Sequence, residues 1–228
     1  KSYDRKLIYT LQFFLFIGIL VRLVNLSFPN GFFIDGAMGG YDSWALANYG
    51  VDSNLDQYPV YLKSWGAGQS ALYAYLAIPF IKLFGLSVES YRLVGALLGC
   101  FAILFFYWSL RKSLKDNVLL VFCLSFFLAI NPWHIMKCRF ALDCNIFPDI
   151  LLIAFGLIIL GCYAKKYKNL YYILASLTLG ISAYGYGVGW FVLPLFFAGT
   201  FLYLVKRNAI TVKVAVCCLA TSVVITFP

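Results

Sequence analysis

LIYTLQFFLFIGILVRLVNLSF (Leu7–Phe28) places 22 residues in a row with a single charge, Arg22. A run of that length matches the ~20 apolar residues needed to cross a bilayer. It is too long for the apolar core of a cleaved leader and has no small-x-small cleavage site, so it reads as a retained first span. Working outward, further apolar runs fall at 90–110, 117–132, 146–163, 170–184, 187–205 and 214–228, with charged or turn-rich segments between most of them. These give seven expected spans. The stretch 70–84 is shorter and carries Pro79 and Lys82, so it reads as a helix lying in the membrane interface. The expected fold is an all-α polytopic membrane protein in one domain, with an outer loop over 29–69 that carries juxtamembrane helices.

Composition agrees. The chain is 63% hydrophobic, 12% charged and 19% aromatic, with a mean hydropathy of +0.86, which excludes a soluble domain, intrinsic disorder, collagen and coiled coil. The absence of an initiating Met and the shortness of the last apolar run lead us to expect the N-terminal part of a longer protein.

A formal charge of +9 could point to nucleic acid, yet the cations come as short clusters between apolar runs. With the N-terminus inside, Lys1, Arg5, Lys6, Arg111, Lys112, Lys115, Lys165, Lys166, Lys168, Lys206, Arg207 and Lys213 all lie on the inner side, as the positive-inside rule requires. The acids Asp35, Asp42, Asp52, Asp56, Glu89, Asp143 and Asp149 fall on or near the outer side. Insertion does not demand this second asymmetry, so it carries a functional message.

The loop 29–69 holds four of those acids together with Tyr41, Trp44, Tyr49, Tyr58, Tyr61 and Trp65. Loops of such length are usually functional. Within it, Tyr41–Tyr49 has helical spacing and stops at Gly50, a natural C-terminal signal.

Three constellations could carry chemistry. Asp35, among apolar residues and glycines just after the first span, is either a partly desolvated general base or a helix cap. Between 132 and 145, helical spacing would put Arg139 and Asp143 on one face. There Arg139, with Lys137 and His134 nearby, either grips a phosphate or forms a surface ion pair with Asp143. His134 alone reads as an interfacial hydrogen-bonding residue or as a ligand. The third is Ser182–Gly187, where Tyr184 and Tyr186 either anchor the interface or stack on a sugar. No Walker loop, nucleophile elbow, HExxH or dinucleotide fingerprint is present.

Of the seven cysteines, Cys100, Cys123, Cys162, Cys217 and Cys218 lie in apolar runs as small hydrophobes. Cys138 and Cys144 share a loop, where free thiols and a disulfide are both open; their spacing is poor for zinc.

From the first span to about Pro194 the chain resembles the GT-C glycosyltransferases, in particular the branch of protein O-mannosyltransferases and lipid A aminoarabinose transferases. The residues that carry the resemblance are Asp35-Gly36-Ala37 with Tyr41, then Tyr58-Pro59, Trp65, Gly68-Gln69, Leu72-Tyr73-Ala74-Tyr75-Leu76 and Pro79. Phe84-Gly85, Arg92-Leu93, Trp133-His134 and Arg139–Asp143 complete it. The resemblance implies an enzyme of a bacterial plasma membrane that moves a sugar, with inversion, from a polyprenyl-phosphate donor to a lipid, glycan or protein acceptor on the extracytoplasmic face. In it Asp35 matches the catalytic base or acceptor-orienting aspartate, and Asp143 a second acid facing the same cavity. Arg139 matches a nearby basic residue, while Lys137, His134, Tyr41, Trp65, Gln69 and Tyr186 become substrate contacts.

Many relatives have Asp-Glu where this chain has Asp35-Gly36. The aminoarabinose transferases carry a metal-linked acid in the stretch reading Gly66–Gln69 here, and a lysine near Tyr186. A divalent metal is therefore an open expectation, as are sugar and acceptor. The competing classes are a transporter with a polar outer cavity and a non-catalytic membrane subunit.

The orientation is testable. In a background freed of native cysteines, Ser113→Cys should resist a membrane-impermeant thiol reagent added outside intact cells, and a cysteine in 29–69 should react. External labelling at position 113 would reverse the assigned sidedness.

Overall fold

The gaps between apolar runs become turns because capping residues stand at their edges. Asn117 accepts from the Leu120 amide (3.2 Å) to open one helix, Asn131 accepts from the His134 amide (3.0 Å) ahead of Pro132 to open the next, and Thr211 accepts from the Val214 amide (3.4 Å) to open the last. Ser87 and Ser90 form a reciprocal capping box. The computed structural model that results describes residues 2–64 and 67–227.

In chain order it contains α1 (Ser2–Leu23), α2 (Ile34–Tyr49), α3 (Leu72–Phe84), α4 (Val88–Ser113), α5 (Val118–Ile130), α6 (Pro132–Lys137), α7 (Phe147–Tyr163), α8 (Lys168–Ser182), α9 (Gly189–Lys206) and α10 (Val212–Thr226). An antiparallel hairpin, β1 (Tyr61–Ser64) with β2 (Ala67–Ser70), lies between α2 and α3, pairing Tyr61 with Ser70 and Leu62 with Gln69.

All seven runs read as spans are helices, and 70–84 is the separate helix α3. Among the described residues four segments are long and apolar enough to cross a membrane: Arg5–Leu23, Val88–Ser113, Asp143–Tyr163 and Gly189–Lys206. The other three, α5, α8 and α10, have 13, 15 and 15 residues. At 1.5 Å per residue they reach only about 20–23 Å, short of a ~30 Å hydrocarbon core.

Three expectations need correction. The first helix ends at Leu23, not Phe28, and an irregular link follows. The loop helix begins at Ile34, well before Tyr41, and Gly50 (φ 72°) ends it in the left-handed conformation expected of a glycine stop. The segment 132–145 is not one helix: α6 stops at Lys137, Leu142 is extended, and Asp143–Asn145 forms a separate 3₁₀ turn. The Asn145 amide reaches back to the Phe140 carbonyl (2.6 Å), which favours the turn over helical continuation.

Short connections make α4, α5, α7, α8, α9 and α10 alternate in direction. One end of the bundle thus gathers Arg5, Lys6, Arg111, Lys112, Lys115, Lys165, Lys166, Lys168, Lys206, Arg207 and Lys213, with Asp116 among them, and the opposite end gathers Asp35, Asp42, Asp52, Asp56, Glu89, Asp143 and Asp149. We call these the basic and acidic ends.

Four apolar clusters hold the helices together among the described residues, the smallest joining α2, β1 and α3 through Leu46, Leu62 and Ala74. Leu11, Leu15, Ile103, Leu110 and Val121 join α1, α4 and α5. Tyr73, Ala77, Tyr91 and Ile150 join α3, α4 and α7. Leu157, Tyr172, Leu179, Phe197 and Phe201 join α7, α8 and α9. Elsewhere the helices turn large side chains outward, among them Phe16, Phe127, Phe191 and Leu195, as lipid-facing surfaces do.

Candidate functional site

The acidic end is assembled from α2, the hairpin and the start of α7. Asp35, in the first turn of α2, is exposed, so it lacks the partial desolvation expected from its apolar neighbours, and its negative charge suits the positive end of the helix dipole. The N-cap position is Phe33 and no side chain caps the helix, so Asp35 does not serve as the cap that its position also allowed. Among the described residues no donor reaches its carboxylate. Asp143 is half-buried and held: its Oδ2 accepts from the Ser70 amide (2.7 Å) and its Oδ1 from the Cys144 amide (2.7 Å).

The hairpin joins the two acids. Gln69 Nε2 donates to the Asp35 carbonyl (2.9 Å), and the next residue, Ser70, holds Asp143, so successive residues of β2 touch both. The contact at Asp35 is made through its backbone carbonyl, which leaves its carboxylate free. Gly39 makes this possible, because a Cβ there would lie 3.0 Å from Gln69 Oε1 and collide with the Tyr91 hydroxyl. A free carboxylate beside an anchored one can accept a proton at the first and orient a hydroxyl at the second.

Behind this surface lies a buried polar cluster that takes up His134 and Lys137 from the expected substrate contacts and joins them to Arg22 and Asp149, which were not expected at the site. The one charge of the first apolar run, Arg22, is 0% exposed. Its Nη1 donates to the carbonyls of Gly18 (2.7 Å) and Ala129 (2.9 Å), and its Nη2 to that of Leu128 (3.3 Å). Nε and Nη2 also approach His134 Nδ1 at 3.2 and 3.1 Å. Arginine can only donate, so Nδ1 is the unprotonated nitrogen, and Nε2 carries the proton toward Asp149 Oδ1 (2.9 Å). Lys137 Nζ pairs with the other Asp149 oxygen and donates to the Asn145 carbonyl (3.0 Å).

His134 and Lys137 are therefore buried structural partners of Asp149. Burial pushes the His134 imidazole below its ordinary range; Lys137 and Arg22 act in the same direction, and Asp149 opposes them. The signal was present in sequence as an ionisable residue inside an apolar run, a default pointer to an interior partner.

Arg139 is half-buried and has turned to α1. Its Nη2 donates to the carbonyls of Val21 (2.6 Å) and Val24 (2.7 Å), and its Nη1 to those of Asn25 (2.8 Å) and Phe28 (3.3 Å). This satisfies carbonyls at and beyond a helix C-terminus, where a cation also suits the dipole. Arg139 and Asp143 do not share a helical face and form no ion pair among the described residues. Arg92 does similar work from α4, donating to the carbonyls of Leu26 (2.8 Å), Pro29 (2.8 Å) and Gly31 (2.6 Å).

Of the remaining expected contacts, Tyr41 is exposed against Trp44 (ring centroids 5.8 Å apart), and Tyr186 packs on Phe147 (6.4 Å) at the start of α7. Trp65 lies outside the described residues. Cys138 and Cys144 are free thiols. Among the described residues no three His, Cys, Asp or Glu side chains gather to hold a metal ion, and Asp35 with Asp143 alone make a poor divalent site. The structure thus joins Asp35, Gln69 and Asp143, and diverts His134, Lys137 and Arg139 to holding helices together.

Comparison of the chain with family models, with curated proteins and with solved structures gives no match.

If Arg139 is a helix anchor, Arg139→Lys should destabilise the protein by about 1–3 kcal/mol, since one ammonium cannot span four carbonyls. Thermal unfolding of the purified variant measures this. A variant as stable as its parent but with a raised Michaelis constant for a phosphate-bearing donor would return Arg139 to phosphate binding.

Proposed function

We propose that the protein is an integral membrane glycosyltransferase that moves a sugar from a polyprenyl-phosphate donor to an acceptor hydroxyl at the acidic end. The observation that carries the reading is the bridging of Asp35 and Asp143 through Gln69 and Ser70. Two carboxylates of unlike environment suit a reaction that must deprotonate one group and hold another.

In this reading the open carboxylate of Asp35 takes the acceptor proton as the acceptor oxygen attacks the anomeric carbon. The new C–O bond forms as the bond from that carbon to the phosphate oxygen breaks, so polyprenyl phosphate leaves and the configuration inverts. Asp143, fixed by two backbone amides, orients the acceptor. The exposed rings of Tyr41 and Tyr186 offer faces for sugar stacking.

An apolar groove of about 590 Å³ along α8, α9 and α10, lined in part by Leu179, Leu193, Phe197, Leu219 and Val223, suits an isoprenoid tail. Trp190 and Phe227 place one of its mouths at the acidic end. Arg139 could meet the donor phosphate only by releasing carbonyls of α1 and the link after it.

A second reading, a transporter, draws on the buried Arg22–His134–Asp149–Lys137 cluster, since ionisable groups inside a bundle often mark a permeation path. Asp35 separates the two. Asp35→Asn keeps shape and removes the proton acceptor, so it should lower sugar transfer by a factor of about 10² to 10⁴. Thermal stability and donor binding should hardly change. Retention of more than roughly a tenth of the turnover would remove Asp35 from the chemistry.

A further inference from the structure

We propose that His134 is an acid-sensitive latch: protonation at Nδ1 breaks its contact with Arg22 and loosens the acidic end of α1 from α5, α6 and α7. Among the described residues the imidazole is the link through which the Arg22 side chain reaches the α6–α7 ion pair, and Arg22 is 0%, His134 4% and Asp149 1% exposed. Among the described residues, the titratable and charged groups around it come from four helices. Arg22 comes from α1, Lys137 and Cys138 from α6 and the residue after it, and Asp149 from α7; Cys100 on α4 stands beside Arg22 and Cys138. From α5 come only the Leu128 and Ala129 carbonyls that Arg22 holds.

The cluster already sets two cations, Arg22 and Lys137, against one carboxylate, Asp149. A proton on Nδ1 adds a third positive charge with no counter-ion, and it points an N–H at a guanidinium that can only donate. Loss of that contact leaves Arg22 tied by three carbonyl bonds and its approach to Cys138, on the helix whose end leads through Arg139 and Arg92 to the Asp35 segment.

The sign follows from burial, which lowers the folded-state pKa of this base. The unfolded chain binds the proton first, near pH 6.5, so the stability is present above about pH 6.5 and is lost as pH falls below it. Across that window the folding equilibrium constant should fall by up to about tenfold per pH unit.

The sequence contains one histidine, so selective ¹⁵N-histidine labelling of the purified protein in lipid nanodiscs reports on His134 alone. At pH 8 the spectrum should show an unprotonated Nδ1 and a protonated Nε2. The unfolding temperature should fall from about pH 6.5 down to the pH at which folded His134 protonates and level off below it, and protonation itself should coincide with faster amide exchange, corrected for intrinsic rates, around Arg22. In His134→Gln the fall in unfolding temperature between pH 6.5 and 5 should be much smaller. An Nδ1-protonated tautomer at pH 8 would overturn the proposal. So would protonation without faster exchange around Arg22, or an equal fall in both proteins. If the variant does not fold, the tautomer and exchange measurements on the parent protein decide.

Discussion

A guanidinium placed near the end of an apolar helix must find acceptors inside the bundle, and Arg22 dictates where they stand. Three of its contacts are backbone carbonyls, one from its own preceding turn and two from the end of α5, and the fourth is the imidazole of α6. A charge left bare in such a place is strongly destabilising, whereas one with a full set of acceptors holds the geometry that supplies them. α1, α5 and α6 are therefore fixed at one level, and Asp149 and Lys137 extend that fixation to α7.

Two further arginines transmit this placement to the acidic end. Arg139 and Arg92 together draw on carbonyls from Val21 to Gly31, the stretch that leaves α1 and turns toward α2. Irregular backbone at membrane depth must be satisfied by protein groups, and planar guanidinium forks do that across several carbonyls at once. Asp35 thereby starts a helix whose origin is set by the bundle, and β2 then locks Gln69 and Ser70 between it and Asp143. The open carboxylate remains exposed because the scaffold's cations are already engaged elsewhere.

Much of this was legible in sequence because it rests on length, charge and local capping. The apolar runs are helices, Gly50 ends α2, Pro79 and Lys82 mark the short helix α3, and the charges divide between the two ends. The rest depended on contacts distant in sequence. Spacing of four between Arg139 and Asp143 suggested a shared face, but Leu142 is extended and Arg139 found better acceptors more than a hundred residues away. The hairpin was unreadable because Lys63, Gly68 and Gln69 show no period-two apolar alternation; its register follows from the groups it joins. Arg22 was visible as an isolated charge in an apolar run, though its partners were not.

In the function proposed above, the acids at this end support direct transfer of a sugar from a lipid phosphate. Its most direct test is the anomeric configuration of the product formed by the purified protein in nanodiscs with a polyprenyl-phosphate sugar and a hydroxyl acceptor. A single displacement at the anomeric carbon, with Asp35 as base, predicts a product inverted relative to the donor. Retention of configuration, or solute flux across the membrane without transfer to any acceptor, would contradict it.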